Sequence, residues 1–204
     1  MDNIPFVEKY RPRLIKHMKL EKYNSKIFNH ILETNSFPNL LLYGPPGTGK
    51  TTTIINLINN YLKSNNITNK GLVMHYNASD DRGIDLIRTT ILSFVKSNGL
   101  LSNELKFIVL DEVDYMTKVA QIHLKHIIEQ NNNNNVRFCL ICNYICKIEE
   151  SLLSEFIIIR FTTLDSSALE QLFFLCVGKY NLDLYIGERY IRCISNCFLD
   201  LSFW

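Results

Sequence analysis

The 204-residue sequence predicts an α/β fold, a five-stranded parallel sheet flanked by helices. Three observations carry that expectation. Short apolar runs without strict alternation, such as residues 106–110, fit strands buried on both faces. Helix-patterned stretches separate those runs, as parallel connections require. Finally, the run Leu40 to Tyr43 feeds straight into Gly44-Pro45-Pro46-Gly47-Thr48-Gly49-Lys50-Thr51 and then into a helical pattern. Strand, glycine-rich turn and helix, in that order, aim backbone N–H groups and a positive helix end at a single spot.

Residues 1–20 read as irregular, with Pro5 and Pro12 bracketing a mixed segment. Glu21 to Thr34 places Ile27, Ile31 and Leu32 at helical spacing and ends near Asn35 and Pro38. Residues 40–43 are the first strand and 50–62 the helix after the glycine-rich turn. Residues 72–76 read as a second strand, 77–81 as turn and cap chemistry, and 84–95 as a helix. A third strand over 106–110 precedes a helix over 118–130. The run Asn131 to Asn135 predicts a solvated loop, because asparagine favours turns and adds little to a core. Strands follow at 136–143 and 157–161. From Leu164 the pattern is helical only, over 166–177 and 186–197, which sets a domain boundary near residue 163.

Bulk properties exclude several classes. A 47% hydrophobic content with 21% charged residues fits a globular chain with a real core. The net charge of +2 leaves nucleic-acid binding to local patches rather than to overall charge. No apolar run approaches the roughly 18 residues of a membrane span, and the N-terminus lacks a signal-peptide pattern, so no membrane role and an intracellular location are expected. Cys139 and Cys142 form a C-x-x-C inside an apolar run, which favours buried thiols over a metal site. Cys193 and Cys197 have helical spacing and no histidine nearby, and read the same way.

The glycine-rich turn fits G-x-x-x-x-G-K-[ST] in full. Gly47 and Gly49 would let the backbone wrap polyphosphate, Lys50 would reach the β/γ-phosphates, and Thr51 would ligate Mg²⁺. The third strand ends in Asp111-Glu112. Asp111 would hold the magnesium shell, and Glu112 would orient and deprotonate the attacking water. Asn143, at the end of the next strand, could position water beside the γ-phosphate. ATP and Mg²⁺ are the expected cofactors.

Five blocks in order resemble the small subunits of replication factor C, the AAA+ clamp loader: VEKYRP over 7–12, YGPPGTGKT over 43–51, NASDDRGI over 77–84, LDEVDYMT over 110–117 and FCLICNY over 138–144. The resemblance implies a nucleotide-binding AAA+ domain over 1–163, a partial helical lid over 164–204 and no collar domain. It implies that Val7, Tyr10 and Arg11 line an adenine pocket, that Gly44 to Thr51 take the phosphates, and that Asn143 is the first sensor. It also carries Arg82 and Arg88, with Lys118 more weakly, over as contacts to primer–template DNA phosphates. The alternative for both arginines is a solvated helix face or pairing with Asp80, Asp81 or Asp85. Ile91, Phe94 and Val95 are similar to a tip that docks on the sliding clamp, or form an ordinary core stripe.

The sequence departs from that family in places. Where the family carries a Ser-Arg-Cys triplet, this chain reads Ser154-Glu155-Phe156, so a carboxylate replaces the arginine that would offset phosphate charge in a neighbouring subunit. Paired arginines are replaced by Lys125-His126. The second-sensor arginine finds no counterpart between Ser195 and Trp204, as in a diverged, C-terminally truncated copy. The expected function is a clamp-loader-like subunit that binds ATP, hydrolyses it weakly alone, and helps load a sliding clamp onto primer–template DNA beside other clamp loader subunits. The alternative is a nucleotide-binding interaction module without turnover. The expected setting is a nucleus or a viral replication site.

Overall fold

The structure, a computed structural model, describes residues 20–67, 69–79, 84–96, 104–131 and 135–163. The chain divides into two compact units, Pro12–Thr162 and the pairing of Met1–Arg11 with Thr163–Trp204. The first holds every described strand and helix. The expected lid over 164–204 and Val7, Tyr10 and Arg11 lie outside the described residues.

Five strands, β1 (Leu40–Tyr43), β2 (Val73–Asn77), β3 (Lys106–Asp111), β4 (Val136–Cys142) and β5 (Ile157–Arg160), form one parallel sheet in the order β2-β3-β4-β1-β5. The expected fold class is the observed one. Helices α1 (Lys22–Thr34), α2 (Lys50–Ser64), α3 (Ile84–Lys96), α4 (Lys118–Asn131) and the single turn α5 (Glu150–Leu153) connect them. Short 3-10 turns at Lys70–Leu72, Val113–Tyr115 and Ile145–Lys147 were not legible as periodicity.

Alternation along each strand sorts the core into two layers. Leu41, Ile108, Leu110, Phe138, Leu140 and Cys142 face one way, onto α3, α4 and α5. Leu40, Leu42, Phe107, Val109, Cys139 and Ile141 face the other, onto Phe28 of α1 and Ile54, Leu57 and Tyr61 of α2. Phe37, Tyr61 and Phe107 close that second layer with mutual edge-to-face contacts at 4.8–5.7 Å between centroids. Burial on both faces explains why β3 and β4 read as continuous apolar runs.

One expectation changes, and one open alternative is decided. Asn131 is the buried last residue of α4, not loop, because its side-chain Nδ2 donates to the Ile127 carbonyl 2.7 Å away and caps the helix from within. Ile91 and Val95 are buried core residues of α3, and Phe94 packs half-buried against the same layer. The stripe is therefore used for packing, and Ile91 and Val95 are not available to dock on another protein.

Candidate nucleotide-binding site

The site gathers at the carboxyl ends of β1, β3 and β4, where an open parallel sheet leaves a crevice between its connections. The turn after β1 needs glycine. Gly44 has φ +148°, and a Cβ there would lie 2.1 Å from the carbonyl oxygen of Phe161, just past β5. That approach is held by the Phe161 N–H donating to the Tyr43 carbonyl at 2.7 Å. Gly47 and Gly49 also adopt positive φ, at 76° and 85°. Between them the Thr48 hydroxyl donates to the Pro45 carbonyl at 2.9 Å. Pro46 is exposed at the crest of the loop. Gly49 is the N-cap of α2 and supplies no side-chain acceptor, so the helix start faces the loop it closes.

Lys50 opens α2 and is buried. Its Nζ donates to the carbonyls of Gly44 (2.7 Å) and Pro45 (2.8 Å) and to Asn143 Oδ1 (2.9 Å), joining the loop to the end of β4. Burial pulls its pKa below the ordinary lysine value, while the neighbouring Asp111, Cys142 and Asp114 oppose that shift. Thr51 Oγ1 donates to Asp111 Oδ2 at 2.7 Å, so hydroxyl and carboxylate already share one place. Those two oxygens suit a hard cation such as Mg²⁺, which takes one or two protein carboxylates and fills its remaining positions with water and phosphate. Among the described residues no cluster of three or more metal-ligating side chains occurs. A magnesium site completed by phosphate needs none.

Glu112 follows Asp111 with a left-handed backbone, φ 56°, unusual for a residue with a long side chain. Its N–H donates to Asp111 Oδ1 at 2.9 Å, fixing one acid against the other at the start of the Val113–Tyr115 turn. The arrangement brings Lys50, Thr51, Asp111, Glu112 and Asn143 to one crevice. Arg82 lies outside the described residues. Arg88 sits on α3, and its side chain is likewise not described. Lys118 is exposed at the start of α4 and pairs with Glu149 at 3.1 Å. Lys125 and His126 both face Glu129, at 3.3 and 3.4 Å. Cys139 and Cys142 are free and buried, and burial pushes the Cys142 thiol up to about 12.

Sequence reasoning passed over two neighbours of the site. His75 on β2 places Nε2 3.9 Å from Asp111 Oδ2, a proximity created by pairing β2 with β3. Asp114 is buried and accepts the Asn143 N–H. The D-E-x-D spacing was the available signal for the second, and nothing local marked the first.

The profile of the ATPase family associated with various cellular activities (AAA) matches residues 40–164, which include every described strand and the residues gathered at this crevice. The chain belongs to the AAA family. Its sequence is 44% identical over 163 residues to replication factor C subunit 5 of Homo sapiens, covering 78% of this chain and 46% of that protein. Replication factor C subunit 3 of Saccharomyces cerevisiae is 39% identical over 170 residues, covering 83% of this chain and 49% of the relative. The resemblance to replication factor C small subunits read from the five blocks is thereby borne out. The chain spans about half the length of the curated relatives it matches. Among solved structures, the Thermotoga maritima RuvB Holliday junction branch migration motor superposes with a TM-score of 0.65 at 15% identity, covering 85% of this chain and 55% of that one. At that identity the likeness concerns the fold alone.

Proposed function

We propose that this AAA-family chain binds MgATP through residues 44–51 and serves as a clamp-loader subunit that helps place a sliding clamp on primer–template DNA. The observation that carries the reading is the convergence of the Lys50 ammonium, the Thr51–Asp111 pair, Glu112 and Asn143 at one end of the sheet. In this reading the loop amides and Lys50 hold the phosphates, and Lys50 turns from the Gly44 and Pro45 carbonyls to the β/γ oxygens. Thr51 and Asp111 would hold magnesium, which supplies charge neutralisation to the phosphates. Glu112 orients a water and accepts its proton, and the Asn143 amide positions that water. Val7, Tyr10 and Arg11 would complete an adenine pocket, and Arg82 and Arg88 would follow DNA phosphates without regard to sequence. We place the domain boundary near residue 163, with 164–204 as the lid. Its partners would be other clamp loader subunits, the clamp and DNA. The relatives named above come from nucleated organisms, which favours a nucleus over a viral replication site. Among the described residues no helix is long and apolar enough to cross a membrane.

A second reading, nucleotide binding without turnover, draws on Glu155. This half-buried carboxylate follows α5, where the family resemblance implies an arginine that would act on a neighbour's phosphate. Calorimetry with MgATP tests the common part. The wild-type chain should release heat on titration, and Lys50→Ala should weaken binding at least a hundredfold; equal affinity in the two would remove the phosphate-cradle assignment. Single-turnover hydrolysis with and without partner subunits, clamp and primed DNA then separates the two readings.

A further inference from the structure

Asp114 sits in the 3-10 turn directly behind Glu112 and is 6% exposed. Its Oδ1 accepts the backbone N–H of Asn143 at 3.4 Å, while its Oδ2 is buried without a hydrogen-bond partner. A buried carboxylate with an unsatisfied oxygen is costly and does not persist for packing alone. Val113 and Met116 of its own segment are buried, as is Cys142 at the tip of β4, whose thiol the Asp114 charge helps to raise. Lys50 lies near enough to feel its charge, and reaches the Asn143 side chain at 2.9 Å.

The geometry fixes a chain of contacts. Asp114 holds the main chain of Asn143, and the Asn143 side chain faces Lys50. The acid turn and the end of β4 are therefore joined at Asn143, whose side chain also touches the lysine of the phosphate loop. Residue 143 lies just past the last ladder position of β4, and the Asp114 acceptor anchors its main chain there.

We propose that Asp114 is a positioning residue for the hydrolytic step, holding Asn143 through its backbone N–H so that the Asn143 amide stays directed into the crevice between Lys50 and Glu112. The proposal rests on the ATPase reading above. Asp114 touches neither phosphate nor water in it and acts through Asn143.

The test is a double-mutant cycle in the full chain assembled with the remaining clamp loader subunits, clamp and primed DNA. Asp114→Ala should lower kcat about tenfold with KM for ATP within twofold. Asp114→Asn, whose side-chain carbonyl can still accept the N–H, should keep kcat within twofold. In an Asn143→Ala background, Asp114→Ala should cause no further loss, whereas a merely structural residue would add its own. Asp114→Leu, matched in branching and lacking an acceptor, replaces the alanine variant if that one does not fold, with melting curves as the control. Unchanged kcat, losses that add to those of Asn143→Ala, or an equal loss in Asp114→Asn would each overturn the positioning role. A wild-type assembly that binds MgATP but never hydrolyses it would instead remove the ATPase reading, and the role with it.

Discussion

Lys50 ties three chain segments together through three acceptors, and its neighbour Thr51 adds a fourth link to Asp111. These links depend on a backbone path that only glycine permits at position 44. A methyl group there meets the Phe161 carbonyl at 2.1 Å, a backbone atom that cannot step aside without breaking the contact between Tyr43 and Phe161. We therefore expect Gly44→Ala to destabilise the fold by about 2–4 kcal/mol, read by thermal or urea unfolding, combining a left-handed-side backbone strain with a direct clash. A variant as stable as wild type would mean that the turn and β5 do not meet as described. At this scale the motif was legible because its residue types are rare in combination. The need for glycine at 44 was not, since Phe161 is remote in sequence.

At the scale of elements, α4 is joined to the loop before α5 by Gln121, which is fully buried. Its Nε2 donates to the carbonyls of Met116 (3.3 Å) and Lys147 (3.1 Å), and its Oε1 accepts the Glu149 N–H at 2.8 Å. Removing it leaves backbone groups in the interior without partners, so Gln121→Ala should cost about 2–3 kcal/mol in urea unfolding. The nearby Lys118–Glu149 ion pair joins the same elements but lies on an exposed lysine, so Lys118→Ala should cost under about 0.5 kcal/mol. Comparable losses in the two would contradict the burial of Gln121. Helical periodicity gave α4 its apolar face but assigned Gln121 no role, because a glutamine's partners are set by where the following loop returns. The same limit explains Asn131. An asparagine run signals a loop by composition, and only the i−4 carbonyl beside it in three dimensions makes its first member a helix end.

At the scale of the whole molecule, a ligand that binds only the folded chain must stabilise it by mass action. MgATP at a hundred times its dissociation constant should add about 2.7 kcal/mol to unfolding and raise Tm accordingly, whereas Lys50→Ala should show no such shift. A wild-type melting point indifferent to MgATP would count against the site as a whole. The parallel sheet, the order of strands and helices along the chain, and the phosphate loop with its two acids were all determined by the sequence, because period, length and motif are local quantities. Strand order across the sheet, with β1 inserted between β4 and β5, was decided only in three dimensions. So were the meeting of Asn143 with Lys50, the approach of His75 to Asp111, and the burial of Asp114. The physical reason is the same for each. Residues far apart in sequence become neighbours when buried apolar faces close on both sides of the sheet, and the polar contacts at its end follow from that packing rather than from any pattern in their own segment.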